Sequence, residues 1–359
     1  MASKTFNVGI IGYGFSAKIF HIPFVTQVPQ LNLYAFVQRT PKPNDDAEKD
    51  YPGVKSYRTS EELVKDPAVD LVIVTTAPDS HYDLVKLALE AGKNVVCEKP
   101  FTPTYKEAAD LVSIAKKQNK LLAVYQNRRW DADFVTLSKL VKNGSLGRIA
   151  EFETHFDRHR PEEPAANASW KNKVIPGGSS IYDLGTHLID QVVHLLGLPQ
   201  KVTAFIGSSR AVNTSNYEDT FTVLLHYANG TLATAKATVV SPEEEQLRFW
   251  VRGEKGSFKK FHLDIQEDQL KAGIMPQDHG YAIEPKERYG TLTTIQGDKP
   301  VKEVYPTVEP PTYTEYYRKI ARALAGEGDL PVTGDEASQV IRLIELARES
   351  SATGKTLDL

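Results

Sequence analysis

The sequence predicts an α/β protein with an N-terminal doubly wound parallel sheet and a C-terminal α/β domain that contains an open, largely antiparallel sheet. Up to about Gln126, short apolar runs alternate with longer amphipathic runs, which is typical of strands joined by crossover helices. Polar and apolar residues alternate after that point, as in strands with one covered face. Because 359 residues exceed one ordinary core, we expect two domains, 1–125 and 126–359, with the last helices packed back on the first.

The first domain contains five predicted strands and three predicted helices. The strands are rich in Val, Ile, Leu and Tyr, as buried parallel strands are. They are Phe6–Ile11, Leu31–Gln38, Val69–Thr76, Asn94–Cys97 and Leu121–Gln126. Helical spacing predicts helices at Ser60–Lys65, His81–Ala91 and Tyr105–Lys117. Ser80 and Thr104 are the expected N-caps of the last two, and Gly92 is an expected stop.

The second domain shows the signals of antiparallel strands. Ile149–Phe156 alternates, Asp219–Val240 predicts two strands around an Asn229-Gly230 turn, and Leu247–Phe261 predicts another pair around Glu254-Lys255. Flanking helices are predicted by apolar spacing, at Ser180–Leu196, Thr314–Ala325 and Asp335–Ser350. The Pro- and charge-rich stretch Gln266–Thr307 is expected to be the least structured part.

Composition narrows the class of protein. A net charge of -3 with no basic patch argues against nucleic acid as a partner. The single cysteine rules out an internal disulfide and fits a reduced cytosol, and we expect a cytoplasmic protein because no signal peptide or apolar run of about 20 residues is present. Without a Cys cluster or a His-Glu-x-x-His motif, no metal site is expected. Cys97 is interpreted as a buried strand thiol rather than a nucleophile.

A glycine-rich turn, Gly12-Tyr13-Gly14-Phe15-Ser16-Ala17, follows the first predicted strand and opens a helix. Glycine lets the backbone bend sharply and lets a pyrophosphate approach it, and the small third residue lets helix and strand pack closely. This position in the first strand-to-helix connection favours a dinucleotide site formed by Gly12, Gly14, Phe15, Ser16 and Ala17 over a plain tight turn. Pro23 is expected to end or kink the helix.

The end of the second strand distinguishes the two nicotinamide cofactors. NAD sites carry an acidic residue there for the ribose 2′-hydroxyl, whereas NADP sites need a cation. This chain has Gln38 and Arg39, and a planar guanidinium can pair with a 2′-phosphate. The alternative is a solvated surface arginine. NADP(H) is therefore favoured, and NAD(H) stays possible.

Two further motifs carry candidate catalytic groups. Lys99, in Glu98-Lys99-Pro100, follows the fourth strand and so points into the crevice where ligands of such sheets bind, unless it is a surface lysine paired with Glu98. Asp183 and His187 stand at i and i+4 and share one helix face. Histidine suits proton transfer near neutral pH, with Asp183 holding its orientation, although such a pair can also be purely structural.

These motifs, in this order and spacing, resemble the Gfo/Idh/MocA family, the glucose-fructose oxidoreductase and inositol dehydrogenase group. The resemblance covers essentially the whole chain and extends to the closing segment Pro331-Val332-Thr333. The stretches Gln126–Asp131 and His155–Pro161 are similar to the NADP-dependent scyllo-inositol dehydrogenase branch. In two respects the pattern departs from the family: Ser179 replaces the third Gly of a GGG run, and the acid after the second strand is absent.

The resemblance implies an N-terminal Rossmann domain and a C-terminal sheet through which a homo-oligomer, dimer or tetramer, often forms. It implies catalysis by Lys99, Asp183 and His187. It also implies further contacts to cofactor or substrate, from Thr76, Pro78, His81, Glu98, Asn127, Arg128, His155 and Trp170. Of these, Arg128 and His155 are assigned to substrate together with the three catalytic residues, and the others to the cofactor groove or nicotinamide.

The predicted function is hydride transfer between NADP(H) and a secondary hydroxyl or ketone of a cyclic polyol or sugar, with an inositol-type substrate favoured. An aldose or other carbohydrate dehydrogenase would use the same groups. A non-catalytic nucleotide- or sugar-sensing regulator on the same scaffold is the alternative from another class, because a fold does not determine function.

Overall fold

The computed structural model describes residues 4–163 and 173–359, and the chain divides into two compact units. The first unit holds the chain up to Asn127 together with Asp268–Tyr281 and Pro311–Gln339. The second holds Arg128–Glu267, Ala282–Pro310 and Val340–Leu359. Each unit is thus assembled from segments that are distant in sequence.

A parallel six-stranded sheet forms the first unit, in the order β3-β2-β1-β4-β5-β6. Its strands are β1 Phe6–Ile11, β2 Leu31–Val37, β3 Lys55–Tyr57, β4 Leu71–Val74, β5 Asn94–Cys97 and β6 Leu122–Val124. The predicted doubly wound sheet is confirmed. β3 has no counterpart in the sequence prediction, because it has only three residues, none of them buried, and therefore lacks an apolar run.

Helices connect these strands: α1 Ile22–Val25, α2 Ala47–Asp50, α3 Ser60–Lys65, α4 His81–Glu90 and α5 Tyr105–Gln118. A further helix of this unit, α9 Thr314–Leu324, comes from the distant segment. Thr104 caps α5 through a reciprocal capping box with Glu107, as predicted. Ser80 is the N-cap residue of α4, as predicted, but its hydroxyl donates to the carbonyl of Ala77, 2.7 Å away, and accepts no hydrogen bond from α4.

A nine-stranded mixed sheet dominates the second unit, in the order β14-β13-β12-β11-β7-β10-β9-β8-β15. Its strands are β7 Ile149–His155, β8 Lys201–Gly207, β9 Thr220–His226, β10 Leu232–Ala237, β11 Leu247–Gly253, β12 Gly256–Phe261, β13 Gly290–Gln296, β14 Lys299–Tyr305 and β15 Leu357–Asp358. Both predicted hairpins are present, and the sheet is largely antiparallel, with β7 and β10 pairing in parallel.

The expectation of an unstructured stretch at Gln266–Thr307 is wrong. This stretch contains α8 Gln266–Lys271 and the hairpin of β13 and β14. Strand β14 is exposed over six of its seven residues, so no covered face imposes the apolar alternation by which strands are recognised.

The helices of the second unit include α6 Ala132–Lys142 and α7 Thr186–Leu196, and α10 Gly334–Thr353 ends in it. Where one continuous helix was predicted from Ser180, a π-helical turn over Ile181–Gly185 precedes α7. A Cβ added to Gly185 would lie 3.3 Å from Phe221 Cζ, so glycine lets this turn pack closely. No helix in the described part of the chain is long and apolar enough to cross a membrane.

Candidate active site

The glycine turn in the first unit has the backbone that a dinucleotide needs. Gly12 has a φ of +101°, and a Cβ there would lie 2.8 Å from Thr75 Oγ1. Both the backbone conformation and this close contact therefore exclude a side chain. A Cβ added to Gly14 would meet nothing within 4 Å. The main chain at Gly14 is therefore bare and open, and the turn fits the pyrophosphate of a dinucleotide.

The residues after Gly14 face different surroundings. Phe15 is 55% exposed, whereas Ala17 is fully buried and lets the chain pack against the sheet. The next segment is a π-helical turn, Ala17–His21, followed by the short α1 with Pro23 near its start. The kink expected at Pro23 is thus present, as a change of helix type.

Glu98 lies at the centre of a buried hydrogen-bond network. One carboxylate oxygen accepts from the Ser16 hydroxyl and faces His21 Nε2 at 2.8 Å, and the other accepts from the Lys99 main-chain N–H at 2.9 Å. On its other side, His21 Nδ1 is hydrogen-bonded to the Tyr317 hydroxyl of α9. His21 and Tyr317 are fully buried. This network joins the glycine turn to the segment that carries Lys99.

The carboxylate of Glu98 is ionised. Burial alone would raise its pKa, but the contacts with His21, the ammonium of Lys99 and the Ser16 hydroxyl outweigh burial and lower the pKa to about 2. Burial also raises the pKa of the Tyr317 hydroxyl, which therefore keeps its proton. Glu98 thus serves as a fixed negative charge beside Lys99, a half-buried residue.

Gln38 and Arg39, which are predicted to lie at the ribose 2′ position of the cofactor, differ in exposure. Gln38 is buried, and its amide is committed to the following loop, donating to Asp45 O at 2.7 Å and accepting from Ala47 N at 2.9 Å. Arg39 is exposed, and its side chain makes no hydrogen bond or ion pair with any described residue. Of the two side chains, only that of Arg39 is available to a cofactor phosphate.

The turn after β4 holds Thr76, Pro78 and His81. Thr76 Oγ1 lies 2.7 Å from Ser80 Oγ. The fully buried His81 directs Nδ1 to Pro100 O at 2.8 Å and Nε2 to Thr76 O at 3.1 Å, and burial lowers its pKa. His81 therefore ties this turn to the chain just beyond Lys99. Pro78 is buried beside it.

In the second unit, Asp183 lies within the π-helical turn Ile181–Gly185 and His187 at the start of α7. His187 is buried and Asp183 is half-buried. A π-helical turn closes its hydrogen bond five residues on, and such turns recur at functional sites. Ser179, just before the turn, has a φ of +155°, a conformation that favours glycine, so this serine keeps the backbone of the glycine that it replaces.

Arg128 and His155 are both held by carboxylates. Arg128 Nη1 donates to Asp131 at 3.1 Å, and Nη2 pairs with Glu267 of α8. His155 lies at the end of β7, with Nδ1 3.0 Å from Asp157 Oδ2. The two side chains are buried. Asn127 is buried in a short 3-10 turn after β6, and Trp170 lies outside the described residues.

Comparison with known proteins identifies the family. Residues 6–126 match the Gfo/Idh/MocA model described as the oxidoreductase family with an NAD-binding Rossmann fold, and residues 138–359 match the model of its C-terminal alpha/beta domain. The chain belongs to the Gfo/Idh/MocA family of oxidoreductases. The resemblance noted from the motifs is confirmed, and the protein is an NAD(P)-dependent oxidoreductase of the kind that acts on CH–OH groups.

Members of this family align with the chain over nearly its whole length. It is 38% identical to scyllo-inositol 2-dehydrogenase (NADP(+)) IolW of Bacillus subtilis, over 99% of this chain and 96% of that protein. An uncharacterized oxidoreductase of Schizosaccharomyces pombe is 38% identical, with 98% and 99% covered. The solved oxidoreductase yvaA of Bacillus subtilis has a TM-score of 0.93 at 37% identity and covers 100% of this chain and 99% of its own.

Sequence reasoning did not find the residues that support the site. His21 and Tyr317 are 296 positions apart, and neither belongs to a motif. The tyrosines Tyr313, Tyr316 and Tyr317 show only helical spacing, which predicts the core position that the structure gives them. A polar role for Tyr317 could be recognised only once α9 was known to lie in the first unit.

Proposed function

We propose that this member of the Gfo/Idh/MocA family is an NADP-dependent dehydrogenase that interconverts a secondary hydroxyl and a ketone on a cyclic polyol, with an inositol-type substrate. The observation that carries the proposal is the shared contact of Glu98 with Ser16 of the glycine turn and with the main chain of Lys99. One buried carboxylate thus contacts both the cofactor turn and the main chain of the candidate catalytic lysine. The name of the relative IolW supports the substrate class and NADP.

Each candidate catalytic residue has a distinct role in this proposal. A bound nicotinamide accepts or supplies the hydride. In oxidation, His187 takes the proton of the substrate hydroxyl, and Asp183 stabilises the resulting imidazolium and holds the ring in orientation. The Lys99 ammonium donates a hydrogen bond to the same oxygen and so stabilises the negative charge that develops there. In reduction, the proton returns from His187 to the oxygen.

The absorbance of reduced nicotinamide provides the direct test of this activity. Purified protein should reduce NADP⁺ with at least one inositol stereoisomer, at a higher kcat/KM than with glucose or other aldoses. A preference for aldoses would make it a carbohydrate dehydrogenase on the same machinery. Binding of NADPH without turnover of any polyol or sugar would contradict catalysis and favour a sensing role.

Substitution of the catalytic residues tests their assignment. Lys99→Ala or His187→Ala should lower kcat by a factor of about 10² to 10⁴, because each removes a group that acts only on the reacting oxygen. NADPH binding, measured by fluorescence titration, should change little. Wild-type turnover in both variants would refute the roles given to them.

Cofactor choice depends on Arg39 in this proposal. Arg39→Ala should weaken NADPH binding about 10-fold or more, since a charge-assisted contact to the 2′-phosphate is lost. NADH binding should change little, because NADH lacks that phosphate and so serves as the internal control. Equal losses for the two cofactors would remove Arg39 from the argument.

A further inference from the structure

Arg158 is a partly buried cation three residues beyond the end of β7. Its main-chain N–H donates to Thr238 O at 2.9 Å, and its carbonyl oxygen accepts from Ser241 N at 3.1 Å, so its backbone is fixed. Its guanidinium lies over the ring of Phe156, with Cζ 4.6 Å from the ring centroid. Arg128 Cζ lies 4.8 Å from the centroid of the same buried ring. Phe156 therefore sets the positions of two neighbouring guanidinium groups.

The two arginines differ in their partners. Arg128 is held by Asp131 and Glu267. The guanidinium of Arg158, in contrast, makes no hydrogen bond and no ion pair with any residue that the structure describes. Burial lowers its pKa, and the nearby carboxylates of Asp183 and Glu267 act in the opposite direction. The guanidinium has five N–H donors, and because it is only partly buried and none of them is bonded to a described residue, they are available to a ligand.

The charges around Arg158 indicate what kind of ligand this is. The charges nearest to Arg158 are the carboxylates of Asp183 and Glu267 and the guanidinium groups of Arg160 and Arg128. A carboxylate or phosphate on a ligand bound here would be repelled by the carboxylate of Asp183. A planar guanidinium presents parallel N–H groups to two adjacent oxygens, and these can be two neighbouring hydroxyls of a ring.

We propose that Arg158 is a substrate-specificity residue that donates hydrogen bonds to two adjacent hydroxyls of an uncharged polyol, next to the hydroxyl that Asp183 and His187 act on. This inference rests on the proposed function, since it concerns the same substrate. It gives a role to Arg158, which lies in the stretch His155–Pro161 but has no role assigned from the sequence, and it separates neutral polyols from sugar acids as substrates.

The test compares Arg158→Gln and Arg158→Lys with wild type, using scyllo-inositol as the uncharged probe and glucuronate as the anionic one. Both variants should raise KM for scyllo-inositol about 10-fold or more, with a smaller change in kcat. Lysine keeps the positive charge but cannot donate two parallel hydrogen bonds as the planar guanidinium does. NADPH affinity by fluorescence titration and the far-UV circular dichroism spectrum should match wild type. Arg148→Lys, at an exposed arginine just before β7 and thus at the other end of that strand, is the matched control and should leave KM within about twofold, as expected for a surface change.

Each outcome either supports or overturns the inference. A wild-type KM in both Arg158 variants overturns it while the proposed function stands. If wild type prefers glucuronate, and this preference is kept by Arg158→Lys but lost in Arg158→Gln, then Arg158 binds an anionic group. That result overturns the inference that its ligand is an uncharged polyol. Absence of polyol turnover in wild type itself overturns the proposed function and this inference together.

Discussion

Glu98 shows how strongly a single side chain in this protein depends on its surroundings. It is 7% exposed, yet its pKa is lowered to about 2 from an ordinary value of 4.5. A buried carboxylate stays ionised only when hydrogen-bond donors or cations replace the lost water. Ser16, His21 and the main chain of Lys99 supply those contacts. The ionised form of Glu98 is consequently linked to folding.

This linkage predicts a pH dependence of stability. Because the folded-state pKa lies below the unfolded value, Glu98 stabilises the fold fully above the unfolded value of about 4.5. That contribution is lost as the pH falls from about 5 to about 2. Glu98→Gln should therefore be destabilised at pH 7, and its difference from wild type should shrink across this window. Urea unfolding at a series of pH values measures both free energies.

A matched control distinguishes this effect from a general response to acid. Glu243 is exposed, so Glu243→Gln should follow the wild-type curve at every pH. A gap between wild type and Glu98→Gln that is the same at pH 3 and pH 7 would contradict a lowered pKa for Glu98.

At the scale of elements, two π-helical turns carry or adjoin the candidate chemistry. Ala17–His21 follows the glycine turn and ends on His21, and Ile181–Gly185 contains Asp183. Both would be predicted as ordinary helix from apolar spacing, because the spacing of buried residues over five positions does not separate a π turn from an α turn. The departure from regular helix thus coincides with the turn that ends on His21 and with the turn that contains the predicted catalytic residue Asp183.

The contact between α9 and the first π-helical turn predicts a measurable cost for a small change. Tyr317→Phe removes one oxygen and leaves the ring, so packing is kept while His21 Nδ1 loses its buried partner. We expect a loss of about 1 to 3 kcal/mol in the free energy of unfolding, the usual cost of an unsatisfied buried polar group. Because the network also holds Ser16, NADPH affinity should fall as well.

A double-mutant cycle shows whether this effect passes through Glu98. If Tyr317, His21 and Glu98 form one network, the losses in Tyr317→Phe and Glu98→Gln should be non-additive by about 0.5 kcal/mol or more. Additive losses would mean that the Tyr317 hydroxyl stabilises only its immediate surroundings.

The elements that the sequence predicted are those whose signal is local. The Asn229-Gly230 turn lies between β9 and β10 as expected, and Thr104 caps α5. Strands β3, β8, β13, β14 and β15 were all missed, and of these β3 and β14 are strands because of tertiary pairing rather than buried alternation. A strand is not predicted from its own residues when its formation depends on pairing with another strand.

At the scale of the whole molecule, the residues that short motifs reveal differ from the distant residues that hold them in place. Gly12, Lys99, Asp183 and His187 are predicted from the sequence because each belongs to a short motif with a chemical reason for its residue types. The partners that position or complement them come from afar: Tyr317 lies 296 residues from His21, and Glu267 lies 139 residues from Arg128. A single sequence contains no record of such pairs.

The nine-stranded sheet leads to the last prediction, a homo-oligomer formed through its open face. On β8, Val202 and Ala204 are buried, whereas Phe205, on the opposite face, is 67% exposed. Phe205 pairs with Thr222 of β9, and Leu224, two residues on along the same face, is only half-buried. Exposed apolar side chains on a sheet face are typical of an interaction surface. A second copy of the chain would cover them, as the family resemblance implies.

Sedimentation velocity tests this assembly. Wild type should sediment as a dimer or tetramer at micromolar concentration, because a stable interface of about 1,600 Å² holds at that range. Phe205→Glu combined with Leu224→Glu should shift it towards monomer, since each copy would then bury unpaired charge. Glu243→Gln, an exposed change outside the strands, should leave the wild-type species. A monomeric wild type, or an oligomer unaffected by both glutamates, would place any contact between copies elsewhere.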